Sequence, residues 1–351
     1  MTSDNLNEEM RIFRDSAIRF FKEIIYPNSP KWRKKGIVDR EAFRKAGDMG
    51  FLCMWADEAY GGLGIKDFRY EKILVEENAK HGDPGYFITL HSRLVGPYID
   101  RFGNEEQKKR LLPGMISGEI ILAIAMTEPD AGSDLSSMKS RATKKGDRWI
   151  LNGSKTYISN GINADVVIVA AKTDKENPHA MTLFLVERDM PGFSRGENLK
   201  KMGLKSQDTA ELFFDDVEIP EANVLGKING GFYHLMQGLP EERLIAACGN
   251  IVSAKIALDI TTEFVKQRKV FGKPLSKMQN TRFNLAALDA DLRIGQVYVE
   301  HCVELLNCKR LTAADSARAK LFTSELNGRM VEERQQTQGG AGHRAQSKTC
   351  L

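Results

Sequence analysis

Glu241 and Glu242, followed by Arg243 in the run Leu239-Pro240-Glu241-Glu242-Arg243-Leu244, set two carboxylates beside a guanidinium. A carboxylate held in a cleft can act as a general base. Only one of the two can face a given cleft, because one step along a helix turns a side chain by roughly 100°. The same run also suits a plain helix start, with Pro240 at the first helical position and acids in the first turn.

Met126-Thr127-Glu128-Pro129-Asp130-Ala131-Gly132-Ser133-Asp134 follows the apolar run Ile120 to Ala125. The hydroxyls of Thr127 and Ser133, exposed amides and small residues could bring the backbone against ring oxygens and phosphates. A polar turn is the plain alternative. A calcium loop is disfavoured: Gly132 occupies the third position counted from Asp130, and the closing Glu is missing. About thirty residues later comes Tyr157-Ile158-Ser159-Asn160-Gly161. An aromatic and a hydroxyl at a strand end can stack on and hydrogen-bond a flat heterocycle; a core Tyr before a turn is the alternative. Gln267-Arg268-Lys269-Val270-Phe271-Gly272-Lys273-Pro274 reads as a helix end with basic residues and a capping Gly. Arg268 could instead bind a diphosphate, since its planar fork matches phosphate oxygens. Gln279 follows, and Gln336-Thr337-Gln338-Gly339-Gly340-Ala341-Gly342 forms a glycine cluster. Asp57 to Gly64 is a further glycine-rich break, read as a loop.

Three zones must position these residues. Residues 1–118 read as helices, with Ile12, Phe13, Ala17, Phe20 and Phe21, then Tyr98, Ile99, Phe102 and Leu111, at helical spacing. Residues 119–226 read as strands: 120–125, 166–169, 181–186 and 211–214, with a hairpin at 148–158 turning on Asn152-Gly153. Residues 227–351 return to helices. Leu244, Ala247, Ile251, Ala254, Leu258 and Val265 form one stripe; Phe283, Ala287, Leu288, Leu292, Val299 and Val303 form another. Strands without intervening helices predict a β-barrel or sandwich between two helical domains, an α+β fold.

The 351 residues suggest roughly two or three structural units. The net charge of +4 comes from 51 basic and 47 acidic residues, and the signs are interspersed, so no nucleic-acid surface is implied. The densest basic stretch, Lys31 to Lys35, reads as a solvated face. Five cysteines without CxxC spacing argue against a disulfide framework or zinc ribbon and fit a reducing compartment. Cys302 and Cys308 read as buried or partly buried thiols, and no metal site is expected. The acidic, polar N-terminus is neither a secretory signal nor a transit peptide. No apolar run approaches 18 residues, so no membrane span is expected.

Taken together and in order, these motifs resemble the acyl-CoA dehydrogenase family of flavoproteins. The likeness runs from about residue 8 to residue 342. It is carried by Met126 to Asp134, Tyr157 to Gly161 and Arg268 to Lys273, with Lys201-Met202-Gly203-Leu204-Lys205 through Phe214 and Val217 to Leu225 at the exit of the β zone. The resemblance implies an N-terminal helical domain, a central β-domain and a C-terminal helical bundle, with FAD between the last two and help from a neighbouring subunit. It implies that Met126, Thr127, Ile158 and Ser159 lie at the flavin ring, that Tyr157 stacks near it, and that Ser133 lies at the diphosphate and acyl-CoA side. Arg268, Phe271, Gln279, Gln336, Gly339 and Gly340 would address the adenine-dinucleotide part, partly across a dimer contact.

The chemistry implied is α,β-dehydrogenation of an acyl-CoA thioester. A carboxylate takes the α-proton while the β-hydrogen leaves as hydride to flavin N5. The thioester oxygen then needs hydrogen bonds as charge develops, and the base needs desolvation to raise its pKa above about 4.3. Many family members place the base after the glycine cluster, whereas the long-chain and isovaleryl types place it on the helix immediately before an Arg. Glu242-Arg243 matches the second pattern, closest to the long-chain type, so Glu242 is the expected base. Arg243 would orient the site, and Tyr233 would contact substrate.

The resemblance further implies a homotetramer that passes electrons to electron-transferring flavoprotein in fatty-acid β-oxidation. The location would be cytoplasmic in a bacterium, or the mitochondrial matrix for a processed eukaryotic protein. Gly342-His343-Arg344 to Leu351 departs from the family pattern and reads as a truncated C-terminal domain. The expected consequence is impaired FAD binding and assembly with Glu242 intact. An acyl-CoA oxidase on the same scaffold, or a truncated non-catalytic flavoprotein paralogue, are the alternative readings.

Overall fold

Runs of small and β-branched residues in the middle of the chain dictate the architecture. The computed structural model describes residues 6–174, 176–177 and 179–342. Eight strands form one mixed sheet: β1 (Leu122–Ala125), β2 (Arg141–Lys145), β3 (Arg148–Ser159), β4 (Val166–Lys172), β5 (Met181–Glu187), β6 (Phe193–Arg195), β7 (Thr209–Pro220) and β8 (Val224–Leu225). The strand order is β6-β7-β3-β2-β4-β5-β8, with β1 added parallel to β4. Along β4, Val166, Ile168 and Ala170 enter one core, while Val167, Val169 and Ala171 enter another. Burial on both faces explains why this strand reads as an unbroken apolar run rather than an alternation.

The second core is all-β, with Trp149, Leu151, Phe184, Phe214 and Ile219. The first also takes Trp55, Tyr98, Leu112 and Met115 from the preceding helical part. Helices α1 (Glu8–Phe20), α2 (Ser29–Lys35), α3 (Glu41–Asp48), α4 (Phe68–His81), α5 (Gly96–Phe102) and α6 (Glu105–Ser117) precede the sheet. Helices α7 (Gly231–Gln267), α8 (Gln279–Asn307) and α9 (Ala313–Gln338) follow it, so the α+β reading holds.

Contacts divide the chain into two compact units. One holds Ser16–Asp67 and His81–Leu239, and therefore the sheet. The other gathers Phe68–Lys80 and Pro240–Leu351 with Met1–Asp15, as far as these are described. Within the second unit the α7 stripe from Leu244 to Val265 is buried throughout. Of the α8 stripe, Leu288, Leu292, Val299 and Val303 are buried, but Phe283 and Ala287 are exposed. Three helices converge at Gly295, where a Cβ would lie 2.9 Å from Ile251 and 3.0 Å from Phe322.

Four local expectations are corrected. Asn152-Gly153 does not turn the chain: β3 runs through it, and the turn lies at Gly146-Asp147, between Lys145 and its partner Arg148. Gly153 is required instead by a close approach, since its Cβ would lie 2.4 Å from Ser140 Oγ. Pro240 does not open a helix but sits inside α7, which starts at Gly231. It leaves the Met236 carbonyl without its ladder donor. Gly272 is not a helix cap. α7 ends at Gln267, and Phe271-Gly272 turns a small hairpin of β9 (Lys269–Val270) and β10 (Lys273–Pro274). By length and composition alone α7 could cross a membrane, but 56% of its most apolar stretch is buried inside the fold, as in a core helix. Cys302 is buried as expected, but Cys308, just past the end of α8, is exposed. His343 and the residues after it, where the family pattern is expected to break, lie outside the described residues.

Candidate active site

In the sheet unit, β1 delivers the chain to the Met126–Asp134 loop. The loop is closed on itself by Glu128 N to Ala131 O (2.9 Å) and Ala131 N to Glu128 O (3.2 Å). It is tied to β3 by Thr156 N, which donates to Thr127 O at 2.9 Å. Met126 and Thr127 are half-buried, whereas Gly132, Ser133 and Asp134 are exposed. The side of Gly132 where a Cβ would stand is open space. This is an arrangement in which backbone can approach a ligand.

Two residues that the sequence reading left without a role hold this loop. Lys155 is fully buried, and its Nζ donates to Met126 O (3.0 Å) and Glu128 Oε1 (2.8 Å). Glu128, also buried, accepts from Lys139 N (2.5 Å) and Ser140 N (3.0 Å). Burial pulls the Lys155 ammonium below its ordinary pKa against the pull of Glu128. Burial pushes the Glu128 carboxyl up, but the Lys155 charge and the hydrogen bonds outweigh it and leave the carboxyl below its ordinary range. The two groups are mutually dependent, each offsetting the burial of the other's charge. Its signal was present in the sequence: Lys155 shares strand parity with Trp149 and Leu151, and a buried ammonium requires a carboxylate.

Immediately after Lys155 the ladder slips. Lys155 pairs with Leu212 but Ile158 with Ala210, so three steps on β3 face two on β7. This β-bulge breaks the alternation. Tyr157 takes φ +60° and stands out 69% exposed. Ile158 returns to the all-β core, so only its backbone is open to a ligand. Ser159 is half-buried at the strand end.

In the helical unit, Glu241, Glu242 and Arg243 are half-buried on α7 just after Pro240, and Leu244 is buried. Arg268 is exposed directly beyond the end of the same helix. From Glu242 to Gln267 the helix rises roughly 37 Å at about 1.5 Å per residue. The fold thus separates Glu242 from Arg268 within one chain. Phe271 and Gly272 both have positive φ, +48° and +74°, the pattern of a type I′ turn. The turn holds the Phe271 ring 95% exposed. Gln279, the first residue of α8, and Gln336, near the end of α9, are exposed. Gly339 and Gly340 have open space on their Cβ sides. A cavity of about 610 Å³ in this unit is lined by Lys72, Glu76, Cys248 and Leu292 among others, and none of these candidate residues borders it. Tyr233, in the first turn of α7 and part of the sheet unit, is 66% exposed.

These features fit a flavin dinucleotide. Two large rings, Tyr157 and Phe271, are held outward by backbone that disfavours bulky residues, which marks sites where something covers them. In the helical unit, Phe271 follows the exposed guanidinium of Arg268 by three residues, and Gly339 and Gly340 have open space on their Cβ sides.

Comparison with known proteins agrees. The family description "Acyl-CoA dehydrogenase, N-terminal domain" matches residues 7–119, the middle-domain description residues 123–217 and the C-terminal-domain description residues 229–349. The chain is 44% identical to the long-chain specific acyl-CoA dehydrogenase, mitochondrial, of Sus scrofa, over 96% of this chain and 79% of that protein. It superposes on an acyl-CoA dehydrogenase from Geobacillus kaustophilus with a TM-score of 0.96 at 42% identity, covering 99% and 92% of the two chains. A glutaryl-CoA dehydrogenase from Mycobacterium smegmatis solved in complex with FADH2 matches with a TM-score of 0.89 at 30% identity, covering 98% and 88%. With all three parts of the fold matched, the chain belongs to the acyl-CoA dehydrogenase family of FAD-dependent oxidoreductases.

Proposed function

We propose that this protein oxidises an acyl-CoA thioester to the trans-2-enoyl-CoA, with Glu242 as the base. The observation that carries the reading is Glu242-Arg243, half-buried on α7, in a chain 44% identical to a long-chain specific dehydrogenase. FAD, when bound, supplies the hydride acceptor for the β-hydrogen. Glu242 removes the α-proton from its half-buried position on α7. Arg243 orients the carboxylate and the thioester, while Tyr233 and Ser133 meet the acyl-CoA. Met126, Thr127, Ser159 and the Ile158 backbone hold the flavin ring, and Tyr157 covers it.

Arg268, Phe271, Gln279, Gln336, Gly339 and Gly340 hold the dinucleotide portion. The length of α7 between Glu242 and Arg268 supports their serving different flavins, each Arg268 reaching the site of a second copy in a homo-oligomer. Electrons pass on to electron-transferring flavoprotein. The location is the bacterial cytoplasm or, for a processed eukaryotic protein, the mitochondrial matrix. Residues 1–118, 119–226 and 227–351 remain the working division of the chain.

The test is direct. Purified protein should be yellow with a flavin spectrum, and an acyl-CoA should bleach it anaerobically, with turnover on an artificial acceptor and little peroxide in air. A chain that neither takes up FAD nor bleaches would overturn the reading, and stoichiometric peroxide would make it an oxidase.

A further inference from the structure

The Glu128–Lys155 pair does something an apolar pair of the same volume could not. Its ammonium holds the Met126 carbonyl, and its carboxylate holds the amides of Lys139 and Ser140. The loop that carries Thr127 is thereby fastened at both ends to a single point on β3. That point lies directly before the bulge. In an unbroken strand Tyr157 would share the inward face of Lys155. With Lys155 anchored inside, the extra residue is forced into the next two positions, and Tyr157 is the one turned out at φ +60°. Met138 closes the pair off from water, buried with its Sδ 3.8 Å from Lys155 Nζ. Stability alone does not account for the pair, since buried ion pairs are often matched or bettered by well-packed apolar residues.

We propose that Glu128 and Lys155 are positioning residues for the flavin: together they fix the Thr127 segment relative to the outward-turned Tyr157, and so set the grip on the ring. The proposal rests on the FAD-dehydrogenase reading above. Neither side chain touches the reacting atoms.

Three variants test it: Lys155→Met, Glu128→Gln, and the two combined, which leaves no unpaired buried charge. In flavin-free protein the amides of Lys139, Ser140 and Thr156 should exchange at least about tenfold faster, a loss of about 1.4 kcal/mol of local protection. Amides of β4 and β5 should keep the parent's rates. In the FAD-loaded chain the visible flavin band should shift and FAD should leave at least about tenfold faster. Anaerobic reduction by acyl-CoA should slow while KM for acyl-CoA stays near the parent's. If Lys155→Met fails to fold, Lys155→Arg keeps the charge but misplaces it, and the same spectral shift is expected.

A folded double variant with the parent's spectrum, FAD release and amide exchange would overturn the proposal. A parent that takes up no FAD overturns the functional reading and the flavin half of the proposal. The exchange arm, read without flavin, still decides whether the pair locks the loop.

Discussion

Ser140 and Gly153 approach so closely that no side chain fits between them: a Cβ on Gly153 would lie 2.4 Å from Ser140 Oγ and 2.7 Å from Ser140 Cα. Gly153 also sits at φ +141°, where side chains are strained. Gly153→Ala should therefore destabilise the protein by about 1–3 kcal/mol through overpacking. Urea unfolding followed by tryptophan fluorescence would read it, and a parent-like midpoint would show that the Ser140 segment can move away from β3 without cost.

Glu242→Gln should fold and retain FAD but lose roughly 10²–10⁴-fold in flavin reduction by acyl-CoA, the usual contribution of a positioned general base. Glu241→Gln should be mild, because its side chain leaves α7 roughly 100° away. Stopped-flow bleaching of the two variants compares them directly. Near-normal reduction in Glu242→Gln would remove Glu242 as the base.

Arg268→Ala should weaken FAD retention more than chemistry. Loss of a charge-assisted hydrogen bond costs about 1.5–3 kcal/mol, or roughly tenfold to a hundredfold in affinity. Equal flavin content in variant and parent after dialysis would contradict it.

Stability should fall as pH drops from neutral towards 4, in part through His91. His91 is fully buried, and burial lowers its pKa from 6.5 to about 4. Nε2 faces Met115 O at 3.0 Å, and Nδ1 accepts from Leu122 N at 3.2 Å, so the ring is bound as the neutral Nε2–H tautomer. A lowered folded pKa means that the unfolded chain binds the extra proton first. The stabilisation is thus complete above pH 6.5 and is lost as pH falls through about 4, amounting to about 3 kcal/mol. Denaturation midpoints of the parent and of His91→Gln between pH 7 and 4.5 should converge as pH falls. Parallel curves would refute the assignment.

Much of this was legible in the sequence. The β4 run at 166–169 and the α7 stripe from Leu244 to Val265 announce buried elements because their periodicity is local. The motifs at 126–134 and 157–161 read by themselves as a polar turn and a core Tyr before a turn, and became site candidates only through their order along the chain, which resembles the family's. What misled were residues whose partners lie far along the chain. Asn152-Gly153 has the composition of a turn, but the contact that requires the glycine comes from Ser140. Pro240 has the look of a helix start, but Gly231 to Leu239 is already helical. Phe283 continues an apolar stripe yet lies exposed, because spacing gives a face and not what covers it.

The buried Glu128–Lys155 pair has a consequence for how this sequence can drift. Replacing either member alone strands a charge in the interior, at about 3–5 kcal/mol, a large share of a domain's stability. Replacing both together avoids that cost. Mutations arise one at a time, so the two positions are joined in a ratchet that single steps cannot release. The exposed residues between them at Gly132, Ser133 and Asp134 carry no such coupling and can change singly as far as ligand contact permits. The exposed stretch of the loop can therefore vary while its two anchorage points stay fixed.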